Sequence, residues 1–220
     1  MKMGDMKIPV ALTVNGEEIA ADVEPRTSLA DFLREQLRLT AIHLGCEHGV
    51  CGACTVLING MPARSCIALA AALEGADVRT LEGLASDPVM RTIKDAFHQE
   101  HGLQCGFCTP GMLITAWDLM KIMPDPDAAA VRVAISGNLC RCTGYQGIVR
   151  SILRAAWEVR TCRQREGAEP STGSAAGEEN AVPVAIPLRS RIDSAMSRRC
   201  RGSFAEPCVP VLRRPTRGLF

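Results

Sequence analysis

The sequence predicts an α+β protein: a small mixed sheet crossed by one helix, an all-α bundle of four helices after it, and an irregular C-terminal tail. Three observations predict it. Short apolar runs joined by two Asn-Gly turns occupy the chain up to about residue 83. Segments of helical period follow to about residue 162, two of them opened by a Pro at a helix start. Beyond that point no period of 2 or 3.6 persists.

Val10-Ala11-Leu12-Thr13-Val14 reads as a strand and Asn15-Gly16 as a hairpin turn, with Glu17 to Val23 returning. Ser28 has the chemistry of a helix cap, ahead of Leu29, Phe32, Leu33 and Leu37 on one face. A loop rich in Gly and Cys runs from Gly45 to Cys54. Thr55 to Ile58 is a third strand, which Asn59-Gly60 turns into Met61 to Ser65. One helix across such a sheet is the pattern of a β-grasp domain, assigned to residues 8–83. Asp87-Pro88 then opens a helix over Val89 to Glu100, and Thr109-Pro110 repeats the device ahead of Gly111 to Met123. Pro124-Asp125-Pro126-Asp127 breaks the chain and caps a helix over about 127–136; a last helix runs from Gln146 to about Arg160. These four make a helical domain, residues 84–162, expected to fold separately from the first. Residues 163–220 hold six of the 13 prolines and ten Arg without a Lys, and read as a disordered tail.

Composition narrows the function classes. Aromatic residues are only 4% of the chain, too few for a platform that stacks bases, so no nucleic acid is expected as a partner. The net charge of +1 offers no field for polyanions or an acidic membrane. No apolar run approaches the roughly 20 residues that span a bilayer, and Met1 to Met6 lacks the apolar core of a secretory signal. A cytoplasmic, thiol-reducing setting is therefore expected. There, clustered cysteines bind metal more often than they form disulfides. The chain has 11 of them, and eight fall into two groups.

Cys46, Cys51, Cys54 and Cys66 have the spacing C-x4-C-x2-C-x11-C. The first three match the loop of plant-type [2Fe–2S] ferredoxins, which close the site with one distant Cys. A two-iron cluster is bulky and accepts hydrogen bonds from backbone N–H groups. Gly45, Gly49 and Gly52 remove side chains that would block a close wrap and permit φ > 0. Zinc sites favour two short C-x2–4-C pairs, whereas here three ligands share one glycine-rich loop. The second group joins Cys105 and Cys108, ahead of a helix start, with Cys140 and Cys142 in the loop before another. The positive ends of both helices suit an anionic centre. Spacing alone leaves zinc and a redox dithiol open at this group.

Two whole motifs carry a resemblance. Gln104-Cys105-Gly106-Phe107-Cys108-Thr109-Pro110-Gly111, with Gly137-Asn138-Leu139-Cys140-Arg141-Cys142-Thr143-Gly144-Tyr145, resembles the helical cluster domain of the xanthine oxidase (molybdenum hydroxylase) family. Gly45 to Cys54 resembles that family's plant-type ferredoxin domain. The match covers roughly residues 8–160 in the family's order, and is similar to the separate small subunit of bacterial members, among them carbon monoxide, aldehyde, N-heterocycle and aroyl-coenzyme A enzymes. The resemblance implies two [2Fe–2S] clusters on the two cysteine sets. It implies a heterotrimer in which a large subunit binds molybdopterin and a medium one binds FAD. It implies that Gln104 and Cys142 lie nearest the pterin, and that the chain relays electrons from the molybdenum centre to the flavin or another acceptor. The substrate pocket is then on another chain. The tail has no counterpart in the family.

Two rivals come from other classes. A free-standing two-cluster ferredoxin-type carrier would ordinarily be acidic, which a near-neutral chain is not. A zinc-stabilised interaction module would be colourless. Cys162, Cys200 and Cys208 read as free thiols; His43, His48, His98 and His101 as solvated side chains; Trp117 and Trp157 as core or interface packing.

Overall fold

The computed structural model describes residues 6–166. Residues 167–220, including Cys200, Cys208 and most of the predicted tail, lie outside the described residues, as do residues 1–5. Up to Thr161 the chain is one compact unit.

β1 (Ile8–Val14) and β2 (Glu17–Val23) form the predicted hairpin, antiparallel from Val14↔Glu17 to Ile8↔Val23. Asn15 and Gly16 turn it at φ 53° and 89°, the left-handed pair that a tight hairpin needs. Alternation sends Val10, Leu12 and Val14 of β1 inward, while β2 is an edge with Glu17, Glu18 and Asp22 in solvent. β3 (Thr55–Ile58) and β4 (Met61–Arg64) form the second hairpin. A fifth strand, β5 (Asp77–Arg79), went unpredicted. It lies parallel to β1 and antiparallel to β3, giving the order β2-β1-β5-β3-β4. Three residues with only Val78 buried are too short to display a period.

The helix across the sheet is shorter than its apolar spacing predicts. α1 (Leu29–Asp31) is capped by Ser28, whose Oγ accepts from the Asp31 N–H at 3.0 Å, and at once loosens into a π turn over Phe32–Gln36. Leu37 therefore bonds back to Phe32 O, five residues away, and is rotated half out of the core. Leu29, Phe32 and Leu33 stay fully buried. Burial of three such side chains stabilises by about 1.5–3 kcal/mol each.

The second half holds α2 (Pro88–Gln99), α3 (Thr109–Ile122), α4 (Ala128–Ala134) with a 3-10 turn Ile135–Gly137 behind it, and α5 (Gln146–Glu166). Asp87 and Asp127 cap as expected, accepting from the Met90 and Ala130 N–H groups. Thr109 does not cap: α3 begins one residue early, with helical Cys108 as the flanking residue, and Thr109 Oγ1 is buried without a partner. α3 is apolar nearly all round, because it is the central helix; Met112, Ile114 and Ala116 are at most 1% exposed. α2 and α5 are joined by Arg154, which donates to Glu100 at 3.0 Å and to the buried Glu158 at 2.9 Å.

The two halves, expected to fold separately, share β3. Val56 points into the core between sheet and α1, whereas Leu57, 1% exposed, belongs to the helical core with Met112 and Ile114. A strand buried on both faces reads as a continuous apolar run, as Val56-Leu57-Ile58 does. Among the described residues no helix is long and apolar enough to cross a membrane.

Candidate metal centres

Backbone geometry makes the first loop. Between α1 and β3 the chain coils through left-handed residues at Glu47, Gly49 and Gly52, with φ of 58°, 84° and 74°. Arg34 steadies the approach to it by donating to the carbonyls of Thr40 and Ile42. The coil brings the Cys51 N–H to 3.3 Å from Cys46 Sγ. Cys54 is buried at the start of β3, and the β3–β4 pairing brings Cys66 back to it: Ser65 donates both its N–H and its hydroxyl to Cys54 O, at 3.3 and 2.7 Å. Cys46 accordingly neighbours Cys51, and Cys66 neighbours Cys54. The Cys51 N–H, helped by that of His48, holds the Cys46 thiol down at about 6. Burial, and then the neighbouring Cys54, pushes Cys66 up to about 11.

The second set is assembled from two distant segments. Cys105 and Cys108 precede α3; Cys140 and Cys142 lie between the 3-10 turn and α5. Cys105 Sγ and Cys142 Sγ are 3.4 Å apart and exposed, while Cys108 is buried and Cys140 half-buried. Burial foremost, and then Cys140, pushes the Cys108 thiol up to about 12. Burial also works to raise Cys140, but hydrogen bonds from Thr143 and the loop backbone outweigh it and the thiol is lowered. Cys105 is lowered, chiefly by the Phe107 N–H, and its partner Cys142 is raised by Cys105. Tyr145, at φ 68°, fastens the loop by accepting the Cys140 N–H on its hydroxyl at 2.9 Å. Among the described residues no three His, Cys, Asp or Glu side chains are gathered for a single metal ion.

Of the eight predicted cysteines, Cys46 lies beside Cys51, Cys66 beside Cys54, and Cys105 against Cys142. Gln104 is exposed beside Cys105. His48 is an exposed loop residue, as expected. His43, expected in solvent, is half-buried: its ring stacks on Phe107 at 4.8 Å and its Nδ1 donates to Phe107 O at 2.7 Å, tying the approach to the first loop to the second. The sequence reading also missed a polar cluster between the two loops. Arg64 donates to Thr55 Oγ1 and to Gly137 O, each at 2.6 Å, and the Asn138 amide donates to Gly52 O at 3.0 Å. The glycines there serve that contact as much as any cluster: a Cβ on Gly52 would stand 2.4 Å from Gly137 O, and one on Gly111 2.2 Å from Gly52 O.

Comparison with known proteins agrees with this layout. Residues 12–85 match the family described as 2Fe-2S iron-sulfur cluster binding domain, and residues 80–153 match the [2Fe-2S] binding domain family. The chain is 54% identical over 146 residues to the caffeine dehydrogenase subunit gamma of Pseudomonas sp. (strain CBB1), covering 65% of this chain and 87% of that one. It is 48% identical over 153 residues to the nicotine 6-hydroxylase small subunit of Paenarthrobacter nicotinovorans, covering 70% and 92%. Among solved structures, a chain of quinoline 2-oxidoreductase from Pseudomonas putida 86 superposes with a TM-score of 0.66 at 46% identity, over 70% of this chain and 97% of that one.

Proposed function

Since the chain belongs to the iron–sulfur small subunits of the molybdenum hydroxylase family, and is the electron-transfer subunit of a multisubunit oxidoreductase, we propose that Cys46, Cys51, Cys54 and Cys66 hold one [2Fe–2S] cluster and Cys105, Cys108, Cys140 and Cys142 a second. One observation supports this ligand reading above others: the fold draws members of each set together, with the Cys51 N–H on Cys46 Sγ, Ser65 fastened to Cys54 O beside Cys66, and Cys105 Sγ 3.4 Å from Cys142 Sγ. Each iron of a two-iron cluster needs two thiolates from the chain. When bound, such a cluster supplies reversible uptake of an electron. The chain's own part is to hold the sulfurs as thiolates. The Cys51 N–H does so at Cys46, the Thr143 hydroxyl at Cys140, and the N-terminal end of α3 at the second set as a whole.

The partners we propose are a large subunit that binds molybdopterin and a medium one that binds FAD. Gln104 and Cys142 are exposed, and the family resemblance supports their facing the pterin; the Gln104 amide offers the donor and the acceptor that a pterin edge requires. The chain relays electrons from the molybdenum centre toward the flavin. For the assembled enzyme we propose an N-heterocycle as substrate, on the names of the caffeine, nicotine and quinoline enzymes. We assign the complex to the cytoplasm, since eight thiols must meet iron in reduced form. The test is purification of the native complex through this chain. About four iron and four sulfide per chain, two rhombic EPR signals on reduction, and co-purifying molybdenum and flavin are expected. Zinc, or one signal at full iron loading, removes the ligand reading; a chain that purifies alone removes the partners.

A further inference from the structure

Between the two cysteine sets lies a buried polar hub that neither metal centre uses. Asn138, 2% exposed, is its middle. Its Nδ2 donates to Gly52 O at 3.0 Å, and its Oδ1 accepts from Thr115 Oγ1 at 3.1 Å, so one side chain grips the first loop and α3 together. Arg64 closes the hub by holding Thr55 Oγ1 and Gly137 O. The approach is as close as backbones permit, because Gly52 and Gly111 lack the Cβ atoms that would collide. Directly beside the hub, the Leu139 N–H donates to Cys51 O at 2.8 Å. That bond has a consequence for connectivity. From Cys51 Sγ the covalent path runs along the Cys51 residue to its carbonyl oxygen, crosses one hydrogen bond, and continues from Leu139 into Cys140 and its Sγ. A member of each set is thereby linked through a single non-covalent step.

We propose that Asn138, locked by Arg64, is a positioning residue that holds the Cys51 O···H–N Leu139 bond and so sets the electronic coupling between the two centres. The buried amide is the argument. An Asn taken out of water costs stability unless its donors and acceptor are met, and here they are met only while both loops stay in register. A side chain needed only to fill space would be apolar. The proposal rests on the cluster-ligand reading, and the two fail differently. Failure of the ligand reading appears in the unaltered chain, as missing iron or a missing signal; failure of this one appears only in the variants.

The experiment uses the assembled complex with Asn138→Ala and Arg64→Gln, neither of which touches a thiol. Iron and sulfide counts and the g-values of each reduced centre check that both sites are filled. The informative readouts are the spin–spin splitting between the two reduced centres at low temperature and the rate at which the sheet-side centre is reduced after the helical one. Loss of the splitting and slower second reduction, with both g-values kept, are expected in both variants. Unchanged splitting and rate overturn the proposal. Should Asn138→Ala lose iron, Arg64→Gln decides, because it leaves every loop residue in place. Loss of a centre's own signal in both variants also overturns it, since the hub would then maintain the sites and not the link between them.

Discussion

Cys46 and Cys66 belong to one set, yet their thiols sit at about 6 and about 11, one drawn down by the Cys51 N–H and the other pushed up by burial. At pH 7 the thiolate fractions differ by about four orders of magnitude. The weaker nucleophilicity of a low-pKa thiolate returns roughly half of that on a logarithmic scale, leaving Cys46 on the order of a hundredfold faster toward an alkylating agent. The sign with pH follows: below about 6 both thiolates decline together and the advantage of Cys46 is fully present, and it shrinks as pH rises from about 6 toward about 11, where Cys66 ionises. In the iron-free chain iodoacetamide at pH 7 should label Cys46 before Cys66 and Cys108, read by peptide mass spectrometry; the reverse order would show that the loop is not coiled as described. Gln104 makes a second residue-scale prediction. Gln104→Leu should keep both EPR signals, since no thiol changes, yet lower molybdenum retention or slow reduction of the helical-side centre by substrate. Unchanged molybdenum content with an unchanged rate returns Gln104 to the solvent.

At the scale of elements, what was legible in the chain is what local chemistry decides. The Asn15-Gly16 turn, the Ser28, Asp87 and Asp127 caps, and the eight cysteines of the two motifs are each set by neighbours in sequence. Asp87→Ala and Asp127→Ala should each cost about 1 kcal/mol in urea unfolding of the iron-free chain. The elements misread are those that tertiary contact decides. β5 exists because β1 and β3 offer it edges, and α1 loosens into a π turn where the chain bends toward the first cysteine loop. Thr109 resembled a cap by type, but the cysteine before it is already helical. Its hydroxyl is left buried and unpaired, so Thr109→Val should leave the iron-free chain as stable or raise it by up to about 1 kcal/mol. A clear loss would mean that the hydroxyl has a partner after all. The site shows the same division. The two cysteine motifs could be read from spacing, whereas the His43–Phe107 contact and the Arg64–Asn138 hub join residues 64 to 74 positions apart and have no local signature.

For the whole molecule, β3 decides how the chain comes apart. With Val56 in one core and Leu57 in the other, neither half unfolds without exposing the other's apolar surface. Leu57→Ala should cost about 2–5 kcal/mol, and probes of sheet and helix should still report one common midpoint. Two separated midpoints would restore the picture of independent halves. A chain ended after Glu166 should keep both EPR signals, since the compared relatives match only 65–70% of the chain and the motifs lie within that share. The close seating of Gly111 against Gly52 bears, finally, on heredity. A recombination event that joined this sheet half to a foreign helical half would have to bring Gly52, Leu57 and Arg64 in step with the incoming Gly111 and Asn138. Chimeras cut near residue 84 should therefore regain solubility only when those five positions are exchanged together.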